Sequence, residues 1–241
     1  MGKRISQTDL AHRELRTRIL DGEFNAGIRL SETSLSEMLC VSRTPMREAM
    51  NRLVEEGLLE RSASGSCYVC QYSLQDIIDS IDIRGAIEGL AAQRAAQKGI
   101  NQLQHNEGAR ILSELDKLLE AMQPDDFSDY VHLNAAFHDW ISRAAQSPVI
   151  SREIDRVCKL PLASPSAFLS RQENSSVFRA SLITGQAQHR AIFEAVESRD
   201  AERAAAVARE HARLARQNAR LALASDTSSH KDIPGLSLIS S

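Results

Sequence analysis

Several features that define familiar protein classes are scarce or absent in this chain of 241 residues. No stretch approaches the roughly 18 consecutive apolar residues that a membrane-spanning helix needs, and the opening residues lack the apolar core of a signal peptide. The formal net charge is −3, so the chain has no overall attraction to polyanions. These absences predict a cytoplasmic protein with no membrane partner, in which any contact with nucleic acid is local.

Cysteines are also few, and their spacing forms no disulfide framework. Cys67 and Cys70 make a C-x-x-C, but they lie in "SCYVCQY", which has the composition of a β-strand. Residues three apart in a strand point to opposite faces, so we interpret both as ordinary strand residues and not as a redox pair. The composition, 42% hydrophobic and 25% charged, predicts a folded chain.

Three segments of the chain differ in predicted secondary structure and in composition. Residues 1–72 contain three short helical runs and then a hairpin, in which "SASG" separates "LLER" from "CYVCQY". Residues 73–224 open with a Ser73-x-x-Asp76 capping box and contain about six longer helical runs, as in an antiparallel bundle. Residues 225–241 are Ser-rich and aperiodic, which predicts a disordered tail. The predicted fold class is mainly α, with an N-terminal winged helix-turn-helix and a C-terminal helical bundle.

The third helical run, "VSRTPMREAMNRLVEEGLL", has one apolar and one basic side. Ser42 is the expected N-cap, and Pro45 lies in the first turn, where a missing N–H costs little. At 100° per residue, Thr44, Arg47 and Asn51 share a face with Arg43 at its edge, opposite an apolar stripe. Two arginines one turn apart can grip guanine edges in the major groove, although a solvated charged face would look the same.

The charge balance of this segment limits how it could bind DNA. Residues 1–72 contain ten Lys or Arg and ten Asp or Glu, so the predicted domain is formally neutral. Binding would therefore depend on a few well-placed arginines and on two copies of the chain reading a palindromic operator. We accordingly expect a homodimer on double-stranded DNA.

The stretch "LRTRILDGEFNAGIRLSETSLSEMLCVSRTPMREAMNRLVEEGLL" resembles the winged-helix domain of the GntR family of bacterial transcription regulators, whose core reads S-R-T-P-x-R-E-A. The resemblance implies that Arg43 and Arg47 read bases and that Ser42 and Thr44 contact the DNA backbone. It implies further, weaker contacts from Ser34 and from the wing tip at Ser64 and Gly65.

Three histidines in the predicted bundle form a second candidate site. His189 and His211 lie equidistant from Asp200, which is in the turn "ESRDAE", so they can meet across an antiparallel hairpin. His138 would join them from a third helix, with Asn134 one turn earlier. Three imidazoles and a neutral oxygen suit Zn²⁺, Ni²⁺ or Mn²⁺, but each histidine alone could equally be an ordinary core or surface group.

The stretches "DIRGAIEGLAAQRAA", "LNAAFHDWI" and "QHRAIFEAVESRDAERAAAVAREHARLA" resemble the all-helical FCD domain that follows GntR winged helices. The resemblance implies a divalent metal ion on Asn134, His138, His189 and His211, and a small organic acid as effector. Arg84 matches an arginine that can pair with the effector carboxylate, although a salt bridge to Glu88 would also explain it. The stretches "IRGAIEGLAAQRAAQKG" and "PLASPS" most resemble the vanillate-responsive branch of the family. The resemblance makes an aromatic acid such as vanillate a candidate effector, beside lactate, sugar acids and dicarboxylates.

The predicted function is a DNA-binding transcription regulator and not an enzyme, most simply a repressor that its effector releases from the operator. One alternative keeps DNA binding but makes the bundle a metal sensor with no organic ligand. A remote alternative is a metal-dependent hydrolase built on the three histidines. It lacks a general base, since Asp139 points about 100° away from His138 on the helix and no H-E-x-x-H motif is present.

Overall fold

Helices account for most of the chain in the structure, a computed structural model that describes residues 5–121, 127–167, 176–224 and 235–239. The fold class is mainly α, as predicted. The elements, in chain order, are α1 (Gln7–Leu20), β1 (Arg29–Leu30), α2 (Glu32–Met38), α3 (Arg43–Glu55), β2 (Leu59–Arg61), β3 (Cys67–Val69), α4 (Leu74–Lys98), α5 (Gln102–Ala121), α6 (Phe127–Ala144), α7 (Pro148–Lys159), α8 (Ser176–Glu197), α9 (Ala201–Ala224) and a 3₁₀ helix (Leu236–Leu238).

The chain divides into two compact units. The first contains Met1–Ile77, Lys159–Leu162 and the described part of Thr227–Ser241, and the second contains Ile78–Cys158 and Ala163–Asp226. The division assigns to the first unit two later segments that the sequence analysis had placed elsewhere. Leu160 explains one of them, because a Cβ built on Gly57 would lie 3.1 Å from Leu160 Cδ2.

The first unit is a winged helix-turn-helix. The apolar stripe of α3 packs on α1 in one buried core, which includes Leu15, Ile19, Met46 and Leu53. The strands form an antiparallel sheet in the order β1-β3-β2, with Tyr68 opposite both Arg29 and Glu60. The predicted hairpin is therefore present as β2 and β3. The two-residue strand β1 was not predicted, because two residues are too short for an alternating pattern to be visible.

Part of the segment predicted to be a disordered tail is ordered in the structure. Gly235–Ile239 form a 3₁₀ turn whose Leu238 is fully buried in the core of the first unit. The composition is Ser-rich, but the segment contains Leu236 and Leu238, whose apolar side chains are buried. The remaining residues of the predicted tail, 225–234 and 240–241, lie outside the described part of the chain.

The second unit is a helical bundle built from α4 to α9. Its core joins buried side chains of α5, α6, α8 and α9, with Phe137 and Trp140 stacked at 5.6 Å between ring centroids. The predicted capping box closes the start of α4: the Ser73 N–H donates to Asp76 Oδ2, and the Asp76 N–H donates to Ser73 Oγ. The helices α8 and α9 form the predicted hairpin, with its turn at residues 198–200.

The helices α4 and α9 approach each other closely at two glycines of α4. A Cβ built on Gly85 would lie 2.5 Å from the Ala212 Cβ, and one built on Gly89 would lie 2.8 Å from Arg209 Cγ. The absence of side chains at these positions therefore sets the distance between the two helices, and it brings the neighbouring Arg84 and Glu88 toward the helix that carries His211. Within the described residues, no helix has the length and apolar character needed to span a bilayer.

Candidate functional site

The exposed face of α3 presents the arginines that the sequence singled out. Arg43, Thr44 and Arg47 are all exposed at the start of the helix. Ser42 occupies the N-cap position, but its side chain makes no capping hydrogen bond, contrary to the sequence prediction. The first-turn N–H groups of α3 thus keep their capacity to bind an anion, and the Ser42 hydroxyl lies exposed beside them.

Arg47 is held by an acidic residue of the preceding helix. Its Nε and Nη2 donate to the two carboxylate oxygens of Glu32, each at 3.0 Å, in a bidentate fork. The fork raises the pKa of Arg47 and lowers the pKa of Glu32. Sequence reasoning missed Glu32, since its distance from Arg47 depends on how α2 and α3 pack and not on spacing within one helix.

The wing is tied to α3 through another arginine that the sequence did not single out. Arg61 Nη2 donates to Asn51 Oδ1 at 2.6 Å, and Arg61 Nη1 donates to the Gly65 carbonyl at 3.2 Å. Ser64 and Gly65 are exposed at the wing tip, and Gly65 has a φ of 82°. The structure thus places both predicted wing residues at the end of the β2–β3 hairpin. Ser34 is likewise exposed, in the first turn of α2, where its N–H donates to Ser31 Oγ.

The three predicted histidines meet inside the bundle. His189 Nε2 lies 3.0 Å from His211 Nε2, which lies 3.4 Å from His138 Nε2. His138 and His189 are buried, and the candidate ligand atoms of all three residues lie within 4.8 Å of one another. The symmetry about Asp200 therefore identified the pair on α8 and α9 correctly, and α6 supplies the third ring.

Each histidine has its other ring nitrogen against a side-chain oxygen. His138 Nδ1 lies 2.9 Å from Glu88 Oε1, His189 Nδ1 lies 3.2 Å from Gln186 Oε1, and His211 Nδ1 lies 3.1 Å from Gln188 Oε1. The Gln186 amide is oriented by its own nitrogen, which donates to the Leu112 carbonyl and to Asp116 Oδ1. Carboxylate and amide oxygens accept hydrogen bonds, so these contacts favour the tautomer with the proton on Nδ1, in which the Nε2 atom of each ring is free to bind a metal.

Burial disfavours the charged form of two of the three rings, His189 and His211. Burial lowers the pKa of His189 well below its ordinary value, and the neighbouring His211 and His138 lower it further. Burial, followed by the proximity of His138, also lowers the pKa of His211 to about 3. Three Nε2 atoms this close together suit a shared cation, because a metal ion at their centre would accept a lone pair from each.

The residues present therefore fit a divalent metal ion. Three neutral Nε2 atoms are a common ligand set for Zn²⁺ and related ions, and ligating histidines normally donate their other N–H to a carboxylate or amide oxygen. Glu88, Gln186 and Gln188 supply those acceptors here. Sequence reasoning did not assign these three residues to the site, although Glu88 stands four residues after Arg84 and could have been suspected on that ground.

Arg84 and Glu88 place a buried ion pair beside the histidines. Arg84 is only 1% exposed, and its Nε and Nη1 have no hydrogen-bond partner among the residues that the structure describes. Arg84 Nε lies 3.8 Å from Glu88 Oε2, which is an ion pair but too long for a hydrogen bond. Burial acts to raise the pKa of Glu88, but His138 and Arg84 outweigh it and hold that pKa at about 2. Unpaired guanidinium N–H groups in such a place are costly unless an anion accepts from them.

A small cavity connects these groups. It has a volume of about 30 Å³, and it is lined by residues of α4, α6, α8 and α9 that include Arg84, Asn134, His138 and His211. Asn134 is buried, and its Nδ2 donates to Ser166 Oγ at 3.1 Å. The predicted metal and effector residues thus share one cavity, except His189, which lies behind His211.

A winged helix-turn-helix with arginines on its recognition helix, followed by a helical bundle whose cavity is lined by an arginine and histidines, defines a two-part DNA-binding transcription regulator. Residues 7–69 match the bacterial regulatory proteins of the gntR family, and residues 79–214 match the FCD domain. The chain belongs to the GntR family and carries an FCD domain, so it is a transcription regulator and not an enzyme.

Two relatives illustrate the likeness over most of the chain. The "Probable D-xylose utilization operon transcriptional repressor" of Paenarthrobacter nicotinovorans is 26% identical over 208 residues, which cover 83% of this chain and 84% of that protein. The "HTH-type transcriptional repressor RspR" of Escherichia coli K12 is 29% identical over 200 residues, 79% of each chain.

Two solved structures share the fold. E. coli McbR/YncC superposes with a TM-score of 0.60 at 21% identity, covering 90% of this chain and 97% of that one. The Listeria monocytogenes regulator Lar superposes with a TM-score of 0.62 at 16% identity, covering 91% of this chain and 99% of that one. At these identities the likeness concerns the fold alone.

Proposed function

We propose that this regulator is a repressor whose FCD bundle binds a divalent metal ion and, next to it, the carboxylate of a small organic acid. The metal ligands are His138, His189 and His211, with Asn134 as a neutral fourth. Arg84 receives the effector carboxylate, and effector binding releases the operator. The convergence of three Nε2 lone pairs, each set by an acceptor at Nδ1, is the observation that carries the proposal.

The metal ion would act as a Lewis acid that takes a carboxylate oxygen of the effector. The chain's own residues would do the rest. Glu88 holds the His138 ring with its Nε2 toward the metal, and the unpaired N–H groups of Arg84 donate to the effector. The effector carboxylate would thereby accept hydrogen bonds from the buried Arg84 guanidinium. This interaction makes the cavity selective for anions.

The size of the cavity favours a small effector. A volume of about 30 Å³ holds roughly two water molecules, since one needs about 10–15 Å³ on the same scale. A short aliphatic acid such as lactate therefore requires a modest expansion of the cavity. An aromatic acid such as vanillate is several times larger, and the helices around the cavity would have to move apart to admit it.

On the DNA side, we propose that Arg43 and Arg47 read bases in the major groove. Ser42 and Thr44 would contact phosphates near the start of α3, while Ser34, Ser64 and Gly65 add contacts at the edges. Because the charges of residues 1–72 balance, two copies of the chain would have to act together as a homodimer on a palindromic operator. Repression is the sign of regulation named for both relatives described above.

The test begins with an operator selected by the wild-type protein from a pool of random duplexes. Metal content is measured by elemental analysis, and operator release is then titrated with Zn²⁺, Ni²⁺ or Mn²⁺ alone and with short carboxylic acids in the presence of the metal. We expect His138→Ala to lose the metal and the acid response. The control is His132→Ala, an exposed histidine of the same helix.

The second candidate function is a metal-responsive regulator without an organic effector, which the small volume of the cavity favours. It predicts that the metal alone releases the operator and that no acid adds to the effect. Equal metal content in His138→Ala and the wild type would contradict both candidates. Loss of the acid response in Arg84→Met with retained metal would support the effector proposal over the metal sensor.

A further inference from the structure

The last described residues, Gly235–Ile239, are bonded to the first unit at both ends. We call this segment the strap. The Gly235 N–H donates to the Leu20 carbonyl at 2.7 Å, at the C-terminal end of α1. The Leu238 carbonyl accepts from the Tyr72 N–H at 2.8 Å, and Tyr72 also forms a parallel bridge with Ile239. The strap therefore satisfies a carbonyl at the end of one helix and an amide at the end of the wing.

The residues of the strap pack closely against the first unit. Leu238 is fully buried and Leu236 is 4% exposed, while Ser237 between them faces outward. Gly235 has a φ of +87°, and a Cβ there would lie 3.1 Å from Leu20 Cδ2. A residue other than glycine would thus be strained by its backbone and crowded by its neighbour. A chance contact of a chain end would not require such a fit at successive residues.

The strap reaches the recognition helix through Tyr72. The Tyr72 hydroxyl donates to the carbonyl of Gly57, which follows the C-terminal end of α3. The Tyr72 backbone is in turn fixed by the Leu238 carbonyl and by the bridge to Ile239. Two successive residue contacts, Leu238 to Tyr72 and Tyr72 to Gly57, therefore lead from the strap to the end of the helix that carries Arg43 and Arg47.

From these contacts we infer that the strap supports DNA binding by holding the recognition helix α3 in position. By holding Tyr72 and the end of α1, it fixes the position of the C-terminal end of α3. A chain without a docked strap loses the two buried leucines and the support of Tyr72, so its recognition helix samples more orientations and its apparent DNA affinity falls. This role lies outside the metal and effector site and does not depend on it.

Three variants of the full chain test the inference. Leu238→Ala removes the central contact, Leu238→Met restores most of its volume, and Ser237→Ala changes the exposed neighbour. We expect Leu238→Ala to lower the Tm of the first unit by about 10 °C and to weaken binding of the selected operator about tenfold. Leu238→Met should recover most of both values, because volume-conserving core changes are tolerated. Ser237→Ala should match the wild type, and metal content should be unchanged in all three.

Hydrogen exchange on the unaltered chain supplies a test that no folding defect can obscure. The amides of Tyr72, Leu238 and Ile239, which are bonded in the structure, should exchange as slowly as those in the middle of α1. Exchange of the Leu238 and Ile239 amides at the rate of a free peptide would overturn the inference. Wild-type operator affinity in Leu238→Ala, with a lowered Tm, would overturn it as well, because the strap would then stabilise the unit without serving DNA binding.

Discussion

At the scale of single residues, the arginines of α3 differ in how freely they can move. Arg47 is forked onto Glu32 although its side chain is 64% exposed. A guanidinium that grips a guanine edge in bidentate fashion cannot keep both hydrogen bonds to a carboxylate, so the proposed base contact of Arg47 requires that Glu32 be displaced. The local pattern S-R-T-P-x-R was enough to predict both arginines, but Glu32 lies on another helix and its position depends on tertiary packing.

The first prediction concerns this competition. Glu32→Gln should strengthen operator binding about threefold, because it frees Arg47 and removes a negative charge beside the DNA. The measurement is a binding isotherm at several salt concentrations. Glu37→Gln is the matched control, since Glu37 is an exposed acid of the same helix and removes the same charge. If Glu32→Gln binds no more tightly than Glu37→Gln, Glu32 is not a competitor for Arg47.

The second residue-scale prediction concerns Asn134. Its amide nitrogen donates to Ser166, so the amide oxygen is its only atom that can serve as a metal ligand. Asn134→Asp adds a negative charge and should tighten metal binding about tenfold, whereas Asn134→Ala should weaken it without unfolding the bundle. Metal competition with a fluorescent chelator measures both, and Asn106→Asp on the exposed side of α5 is the control. Unchanged metal affinity in both Asn134 variants would make Asn134 only a helix neighbour.

At the scale of elements, the sequence predicted correctly those features that depend on residues close together in the chain. The capping box at Ser73 and Asp76 and the hairpin around Asp200 each depend on residues a few positions apart, and both are present. The acceptor for His138 could not be found in this way. Glu88 is 50 residues away in the chain, and it reaches the ring from α4, whose position is set by the close crossing with α9 at Gly85 and Gly89.

The third prediction tests that crossing. In an ordinary helix, Gly→Ala stabilises by about 1 kcal/mol, but at Gly85 the new Cβ would lie 2.5 Å from Ala212. Gly85→Ala should therefore destabilise the bundle by about 1–3 kcal/mol and weaken the site by shifting Arg84. Chemical denaturation measures the first effect and metal affinity the second. Gly185→Ala on α8 is the control for the denaturation measurement alone, since its Cβ would make an ordinary contact at 3.5 Å, and that contact is with His211, a proposed metal ligand. If Gly85→Ala raises the free energy of unfolding, the space between α4 and α9 accommodates a methyl group and the proposed close crossing is contradicted.

At the scale of the whole molecule, the sequence predicted two folded parts and their types, but not the full membership of each. Residues 159–162 and the strap belong to the first unit although they follow α7 and α9 in the chain. Composition indicated a disordered tail, because a Ser-rich segment lacks the area to form a core of its own. Leu238 is instead buried in the core that the rest of the first unit forms, and Leu236 is buried as well.

The division into units leads to a prediction about how the molecule responds to chelation. All three histidines, Asn134 and Arg84 lie in the second unit, as do the other described residues that line the cavity. A metal that binds only the folded bundle stabilises it by about 2.7 kcal/mol when its free concentration is a hundred times the Kd. Removal of the metal should therefore lower the Tm of the bundle by about 5–10 °C.

Calorimetry of the wild type with and without a chelator measures this shift, and hydrogen exchange identifies the unit that has changed. Exchange should accelerate in α6, α8 and α9, which carry the histidines, and stay constant in α1 and α3. In His138→Ala the same chelator should have little effect, because the site is already broken, whereas His132→Ala should respond like the wild type. A chelator shift of equal size in His138→Ala would place the stabilising metal elsewhere and remove the histidine cluster from consideration as its site.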